Sequence, residues 1–145
     1  MTFEVVIVEI MKYLSISDRY TKMYLDESLA KFGLNSSQHI YIIKICENPG
    51  MTQDKFISCF YLHPSNITRS LTALEKMGFI YKEVNSDDKR TCRLYPTSKA
   101  KDIYQQIVEI NTHWENHLLE GFDEKEQVII NEFLKRITEN ALKSR

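Results

Sequence analysis

The chain has 145 residues, of which 43% are hydrophobic and 27% are charged, so it has enough apolar mass for the core of one domain. Four glycines and three prolines are too few for collagen, for low-complexity disorder or for the many tight turns of an all-β fold. The formal net charge of −1 does not by itself indicate a charged partner. We therefore expect one mainly α-helical domain with short connections.

Charge is unevenly distributed along the chain. Residues 44–101 contain ten Lys or Arg and six Asp or Glu, whereas the remaining residues contain nine and fourteen. A basic centre between acidic ends can present one positive face to a polyanion. Chance variation in surface charge is the alternative explanation.

The N-terminal part predicts a long helix, because apolar residues recur at helical spacing over residues 3–32 and Gly33 can end a helix in the left-handed conformation. Residues 1–14 are apolar, but they include Glu4 and Glu9 and lack a basic start. They therefore predict neither a signal peptide nor a membrane span, and we expect a cytoplasmic protein. A second helix is expected to open with a capping box of Asn35 and Gln38 and to end at residues 48–50.

The centre of the chain predicts a helix-turn-helix. Thr52 is a good N-cap for a short third helix, and Pro64 suits the first position of a fourth helix that stops at Gly78. Two short helices on a tight connection are typical of this motif. The fourth helix has apolar residues spaced for burial at i, i+4 and i+7, namely Ile67, Leu71 and Leu74.

After Gly78 the sequence pattern changes from helical to alternating. Residues 79–84 and 91–95 predict two strands, and the polar run 85–90 makes them a β-hairpin with a charged tip. The expected fold class is therefore mainly α with a small β-hairpin wing, a winged helix-turn-helix. Thr97 is expected to cap a long helix that ends by Gly121, and Asp123 with Glu126 forms a capping box for the last helix.

The helices on either side of this centre carry more apolar surface than a small winged domain can cover. Such a surplus is normally buried against a symmetric partner, so we expect a homodimer. Residues 1–145 then form one domain, with dimerisation helices in 1–33 and 98–145 and the winged helix-turn-helix in 34–97. The interface residues expected from the apolar stripes are Phe3, Ile7, Ile10, Leu14, Ile130, Phe133, Leu134 and Ile137.

Three stretches follow one another in order along the chain: LNSSQ at 34–38, SNITRSLTALEKMGFI at 65–80 and DKRTCRLYPT at 88–97. Together with the order of helices and hairpin, they resemble the MarR family of bacterial and archaeal transcription regulators over essentially the whole chain. The sequence departs from the family pattern at His63, in place of a serine cap, at Pro96, in place of leucine, and at Ala100, in place of glycine. The resemblance implies a homodimer that binds a pseudo-palindromic operator in double-stranded DNA. We expect it to act as a repressor. It also implies a small-molecule effector between the dimerisation helices and the winged domain.

By this resemblance the fourth helix is the recognition helix, whose exposed polar residues enter the major groove. An ordinary solvated helix face is the alternative for those residues. Thr52 and Gln53, at the start of the third helix, can present N–H groups to a phosphate. The expected base and phosphate contacts of the recognition helix are Ser65, Asn66, Thr68 and Arg69.

The tip of the hairpin carries the strongest candidate for DNA contact. Arg90 on a narrow protrusion can insert into a minor groove, whose negative potential favours a guanidinium. Asp88, two residues earlier, is expected to orient Arg90 or brace the turn. Lys89 and Arg93 would add phosphate contacts, which set affinity without reading sequence; for Arg93 a simple surface charge is the alternative.

Other classes of function find less support in the sequence. It contains no glycine-rich phosphate loop, nucleophile elbow or paired-carboxylate arrangement, so neither an enzyme nor a cofactor is expected. A winged-helix module that binds protein instead of DNA is a competitor, although protein docking does not require a basic wing. A metal-responsive regulator is another alternative, because His113 and His117 lie one helical turn apart and His39 can approach from the second helix. No carboxylate or thiolate clearly completes that ligand set, so no metal is expected.

Cys46, Cys59 and Cys92 are odd in number and form no C-x-x-C pair. This pattern argues against a disulfide framework and against a thiolate zinc site. Cys46 lies on the apolar side of a predicted helix, where burial would raise the pKa of its thiol. Buried structural cysteines are therefore favoured over a redox sensor.

Overall fold

The computed structural model describes residues 9–60 and 64–144. It confirms a mainly helical chain with a small antiparallel sheet. Along the chain the elements are α1 (Ile10–Leu29) with a 3-10 turn (Ala30–Phe32), α2 (His39–Glu47), β1 (Met51–Thr52), α3 (Gln53–Phe60), α4 (Pro64–Lys76), β2 (Ile80–Val84), β3 (Cys92–Pro96), α5 (Ser98–Leu118) and α6 (Glu124–Leu142).

The core lies where α2, α4, the sheet and the first half of α5 meet. The expected inward residues of α4 are fully buried, and Ile107 of α5 is buried with them. Burial of a large aliphatic side chain contributes about 1.5–3 kcal/mol, so this cluster fixes which face of α4 is left outside. The fully buried core side chains include Leu29, Ile42, Ile45, Phe56, Ile67, Leu71, Leu74, Leu94 and Ile107.

The sheet has three antiparallel strands in the order β1-β3-β2. The β2–β3 hairpin pairs Ile80 with Pro96 at one end and Val84 with Cys92 at the other, within one residue of the predicted strands. Pro96 lacks an N–H, and it lies beyond Arg93 and Leu94, the two residues of β3 that pair with β1. At this position β3 has only β2 as a neighbour, so it behaves there as an edge strand, where proline is tolerated. The short strand β1, which pairs Met51 with Leu94, was not predicted, because two residues carry no readable alternation.

Most of the predicted helix ends are confirmed. Gly33 and Gly78 end their helices with φ of 71° and 81°, the left-handed conformation that glycine adopts without strain. The Thr97 hydroxyl accepts a hydrogen bond from the backbone N–H of Ala100 at 3.4 Å. The capping box of Asp123 and Glu126 forms both of its hydrogen bonds, at 2.9 and 3.0 Å.

The capping box expected at the start of α2 is wrong in part. Gln38 does accept a hydrogen bond from the backbone N–H of Asn35, at 3.2 Å. The side chain of Asn35, however, accepts from the backbone N–H of Ser37 at 2.9 Å, and the helix begins only at His39. An Asn side chain that bonds two residues ahead forms a turn that competes with helix initiation.

The flanking helices leave apolar surface uncovered. Helix α6 has no buried residue, and Ile10, Leu14, Phe133, Leu134 and Ile137 are exposed while Ile130 is half-buried. Phe3 and Ile7 lie outside the described residues. None of the helices described for this chain combines the length and apolarity needed to cross a membrane.

Candidate nucleic-acid interface

Helix α4 presents the predicted recognition residues on its outer face. Ile67, Leu71 and Leu74 are 0% exposed and hold the opposite face against the core. Because residues one and two positions from a buried one point elsewhere on a helix, the four polar residues of the first turns are turned toward solvent. Those exposed residues are Ser65, Asn66, Thr68 and Arg69.

Gln53 connects the recognition helix to the wing. Its side-chain amide donates to the Thr68 hydroxyl at 3.3 Å, and its carbonyl oxygen accepts from the Cys92 thiol at 3.2 Å. Three elements, α3, α4 and β3, are thereby joined by one side chain. The sequence suggested only backbone N–H groups for this position, so the linking role of the Gln53 side chain was missed.

Thr52 caps α3, as predicted. Its hydroxyl accepts a hydrogen bond from the backbone N–H of Lys55 at 3.3 Å. One of the unpaired N–H groups of the first turn is therefore satisfied within the protein, which leaves fewer of these donors for a phosphate. Lys55 itself is exposed beside this helix start.

The wing tip carries an exposed guanidinium held in a defined position. Arg90 donates from Nε and Nη2 to the two carboxylate oxygens of Asp88, both at 3.0 Å, and its backbone N–H donates to Asp88 at 3.1 Å. These hydrogen bonds lower the pKa of Asp88, the side-chain bond most. The Arg90 side chain is still 90% exposed. The contact expected between Asp88 and Arg90 is thus present, and the cation remains open to solvent.

Asn85 organises the loop that carries this tip and was not singled out in the sequence. It is 6% exposed. Its amide nitrogen donates to the Thr91 hydroxyl at 3.0 Å, and its oxygen accepts from the backbone N–H of Asp87 at 3.1 Å. An Asn directly after a predicted strand is the usual start of such a turn, and this was the available signal.

Arg93 is placed differently from Lys89 and Arg90. Its guanidinium donates to the carbonyl oxygen of Gly50 at 2.9 Å and to Asp87 at 3.4 Å, so it fastens β3 to the turn after α2. Lys89 is exposed at the tip of the wing. The structure therefore places Lys89 and Arg90 together at the tip and Arg93 at its base.

The three histidines proposed for a metal site have other neighbours. His39 is buried, with Nε2 3.0 Å from Oδ1 of Asn111 on α5. His113 stacks on Tyr24 at 6.2 Å between ring centroids, and His117 lies 3.1 Å from a carboxylate oxygen of Glu120. In residues 9–60 and 64–144, no group of three or more His, Cys, Asp or Glu is arranged to hold a metal ion.

The cysteines are all free, and their burial differs. Burial raises the pKa of the Cys46 and Cys92 thiols, which makes both less nucleophilic at neutral pH. Cys59 is exposed, so the expectation of buried structural cysteines is wrong at this position. Cys59 lies near the C-terminal end of α3. The spacing of apolar residues alone did not show which face of α3 is buried at that end.

A helix-turn-helix whose second helix exposes a polar face beside a hairpin with a basic tip defines the class of winged helix-turn-helix proteins. The sequence model of the MarR family matches residues 34–92. The chain is 31% identical over 107 residues to the uncharacterized HTH-type transcriptional regulator YybA of Bacillus subtilis (strain 168). The matched region covers 74% of this chain and 71% of that protein. The chain belongs to the MarR family of transcriptional regulators.

Two further comparisons agree with this assignment. The chain is 28% identical over 105 residues to the HTH-type transcriptional regulator BilQ of Clostridioides difficile (strain CD3), covering 72% of this chain and 71% of that one. It is also similar to a MarR family transcriptional regulator from Listeria monocytogenes whose structure was solved with 26mer DNA. That match has a TM-score of 0.88 and 28% identity, and it covers 95% of this chain and 92% of the other.

Proposed function

We propose that the protein binds an operator in double-stranded DNA as a homodimer and represses transcription. The observation that carries the proposal is the guanidinium of Arg90, fixed by Asp88 at the end of the wing and 90% exposed. A preorganised cation on a narrow protrusion suits a groove lined by phosphates, because little side-chain freedom is lost on binding. The similarity to the Listeria regulator that was solved with DNA supports DNA binding.

Sequence reading is assigned to α4. Short polar side chains and one arginine on its exposed face have the donors and acceptors that base edges require in the major groove. The Gln53 bridge to Thr68 and Cys92 supports a fixed position of this helix relative to the wing. In this proposal α4 reads bases, while Lys89 and Arg90 set affinity and register at the wing.

The homodimer is proposed from the uncovered faces of α1 and α6. Ile10, Leu14, Phe133, Leu134 and Ile137 are each exposed, and apolar surface of this kind is normally buried against a second copy. A two-fold axis between two chains would set the recognition helices about 34 Å apart, one turn of DNA. The operator would then be a pseudo-palindrome, and the proposed location of the protein is the cytoplasm.

Selection from random duplex, followed by fluorescence anisotropy over a salt series, tests this function. We expect recovery of an inverted repeat with half-sites one helical turn apart, and a linear fall of log affinity with log salt concentration. Recovery of a single half-site would contradict the dimeric mode. A protein that binds no duplex at low salt would contradict DNA binding altogether and favour a protein-docking wing.

We also propose that a small molecule modulates this binding. The resemblance to the family implies that the effector binds between the dimerisation helices and the winged domain. A cleft of about 520 Å³ among α1, α5 and α6 has Leu14, Ile130 and Leu134 in its wall. These three residues also belong to the proposed dimer interface, so a second copy, rather than the effector, would cover this cleft. A compound that lowers affinity for the selected operator would identify the effector class.

A further inference from the structure

A second cavity, of about 690 Å³, has no residue of the recognition helix in its lining. It is formed by the end of α2, the turn at residues 48–50, β1, the first turns of α3 and Arg93 of β3. Three of its lining residues are cations, and none is an aspartate or glutamate. The cations are Lys44, Lys55 and Arg93.

The two lysines of this cavity lack a carboxylate partner. Among residues 9–60 and 64–144, no carboxylate oxygen lies within 4.0 Å of the amine of Lys44 or Lys55. Arg93 has one, Asp87, at 3.4 Å, and that carboxylate is 83% exposed. Like charges around one cavity repel each other, so an anion that enters it lowers the electrostatic free energy of the site.

The fold holds the cavity wall in place without a ligand. The backbone N–H of Gly50 donates to the carbonyl oxygen of Leu94 at 2.8 Å, and Arg93 donates to the carbonyl oxygen of Gly50 at 2.9 Å. Gly50 has φ of 87°, and a Cβ there would meet the Tyr95 hydroxyl at 3.3 Å. The turn that carries one wall is therefore tied to the sheet and requires glycine.

We propose that this cavity binds a phosphate group. Its lining carries several hydrogen-bond donors: two ammonium groups, a guanidinium, and the neutral side chains of Asn48 and Thr52. Phosphate oxygens accept hydrogen bonds from all of these, and their charge matches the unpaired lysines. The phosphate comes either from the DNA backbone, which rests on the proposed function, or from a free phosphorylated small molecule, which does not.

The test uses the double variant Lys44→Gln, Lys55→Gln. A matched control, Lys22→Gln with Lys125→Gln, removes two exposed lysines of α1 and α6 that lie outside the cavity lining. Isothermal titration with inorganic pyrophosphate, without DNA, measures the free ligand. Anisotropy with random duplex over a salt series measures the contribution to DNA binding, because each neutralised phosphate contributes about 0.9 to the slope of log affinity against log salt.

If a free phosphate is the ligand, pyrophosphate binds the wild type and the control with one site per chain, and the cavity variant binds at least about tenfold more weakly. If the DNA backbone is the ligand, the salt slope of the cavity variant falls by about one to two relative to the control. The proposal is overturned if the cavity variant and the control bind pyrophosphate equally and also have the same salt slope for duplex binding.

Two further measurements keep these outcomes separate. Thermal unfolding shows whether the double variant is folded, and the single variant Lys55→Gln, at an exposed position, replaces it if it is not. If the wild type binds no duplex, the proposed function fails, while the pyrophosphate titration still decides whether the cavity binds phosphate.

Discussion

The side chain of Arg90 is both exposed to solvent and restrained by hydrogen bonds. Its side chain is 90% exposed, yet two hydrogen bonds to Asp88 restrict its conformations. Exposed ion pairs contribute little to stability, so this pair matters mainly for where the cation is held. The hydrogen bonds from Arg90 lower the pKa of Asp88 below its ordinary value of 3.8, so the carboxylate is charged at neutral pH and keeps its charge further into the acidic range.

Arg90→Ala should weaken duplex binding and reduce the salt slope by about one, because one phosphate-neutralising cation is lost. Asp88→Asn should weaken duplex binding less than Arg90→Ala does and leave the salt slope unchanged. The Arg90 cation is still present in this variant, but its position is less fixed. Anisotropy over a salt series measures both. Arg19→Ala, at an exposed residue of α1, is the control and should match the wild type; an unchanged slope in Arg90→Ala would remove Arg90 from the interface.

His39 joins the winged region to α5 through its contact with Asn111, 3.0 Å away. Burial lowers the pKa of His39, with the Asn111 contact and the charge of Asp26 opposing this effect. The unfolded chain therefore takes up a proton at a higher pH than the folded chain does. Stability from this residue is complete above the unfolded pKa of about 6.5 and is lost as the pH falls below it.

The free energy of unfolding of the wild type should therefore decrease between pH 7.5 and 5.5, by at most about 1.4 kcal/mol per pH unit from this one residue. His39→Gln removes the titrating group and should show a smaller slope. Asp26 and Asp88, whose pKa values are lowered from 3.8, lose their contribution only below this range. Denaturant unfolding at several pH values measures the slopes, and equal slopes would show that His39 does not carry the effect.

At the scale of elements, the sequence predicted what has a repeating pattern. The hairpin was found because alternation over 79–84 and 91–95 differs from the helical spacing before it, and α4 because three apolar residues share one face. Strand β1 was missed because pairing with β3, not its own two residues, makes it a strand. Strand β1 nevertheless matters for the site, because it directly follows the turn whose Gly50 carbonyl oxygen accepts a hydrogen bond from Arg93.

The contacts between elements were also beyond the sequence. Gln53 lies 15 residues from Thr68 and 39 from Cys92, and nothing in the spacing of polar residues indicates such pairing. The candidate DNA-contact residues were assigned one by one from the family motifs, and their contact with DNA stays a prediction. The sequence does not show which of these side chains point to solvent and which are hydrogen-bonded within the protein, as Arg93 is. That difference depends on the packing of the folded chain.

At the scale of the whole molecule, two surfaces differ in chemistry. The winged region buries most of its apolar residues, with Tyr81 and Val84 exposed, and leaves cations at the wing tip and around the cavity beside α3. The described parts of α1 and α6, in contrast, leave many apolar residues exposed. The excess of basic residues over 44–101 is thus separated in space from the proposed dimer surface. This separation lets one copy contact another without placing like charges at the interface.

A substitution at Phe133 tests whether the exposed apolar face of α1 and α6 is the dimer interface. It is 55% exposed in the single chain, and Ile129 and Ile137 lie one helical turn away on the same face of α6. Phe133→Glu would bury a charge at the two-fold interface, which is costly without a partner, and should convert the dimer to a monomer in analytical ultracentrifugation. Affinity for a two-half-site operator should then fall to about that for a single half-site.

The matched control is Lys135→Glu, which places the same side chain at an exposed position of α6 that lies two residues from both Phe133 and Ile137, on the opposite face of the helix. It should stay dimeric and bind the operator as the wild type does. Thermal unfolding at several protein concentrations adds a second readout, because the melting temperature of a dimer rises with concentration and that of a monomer does not. If Phe133→Glu remains dimeric with an unchanged concentration dependence, the two copies meet through a different face.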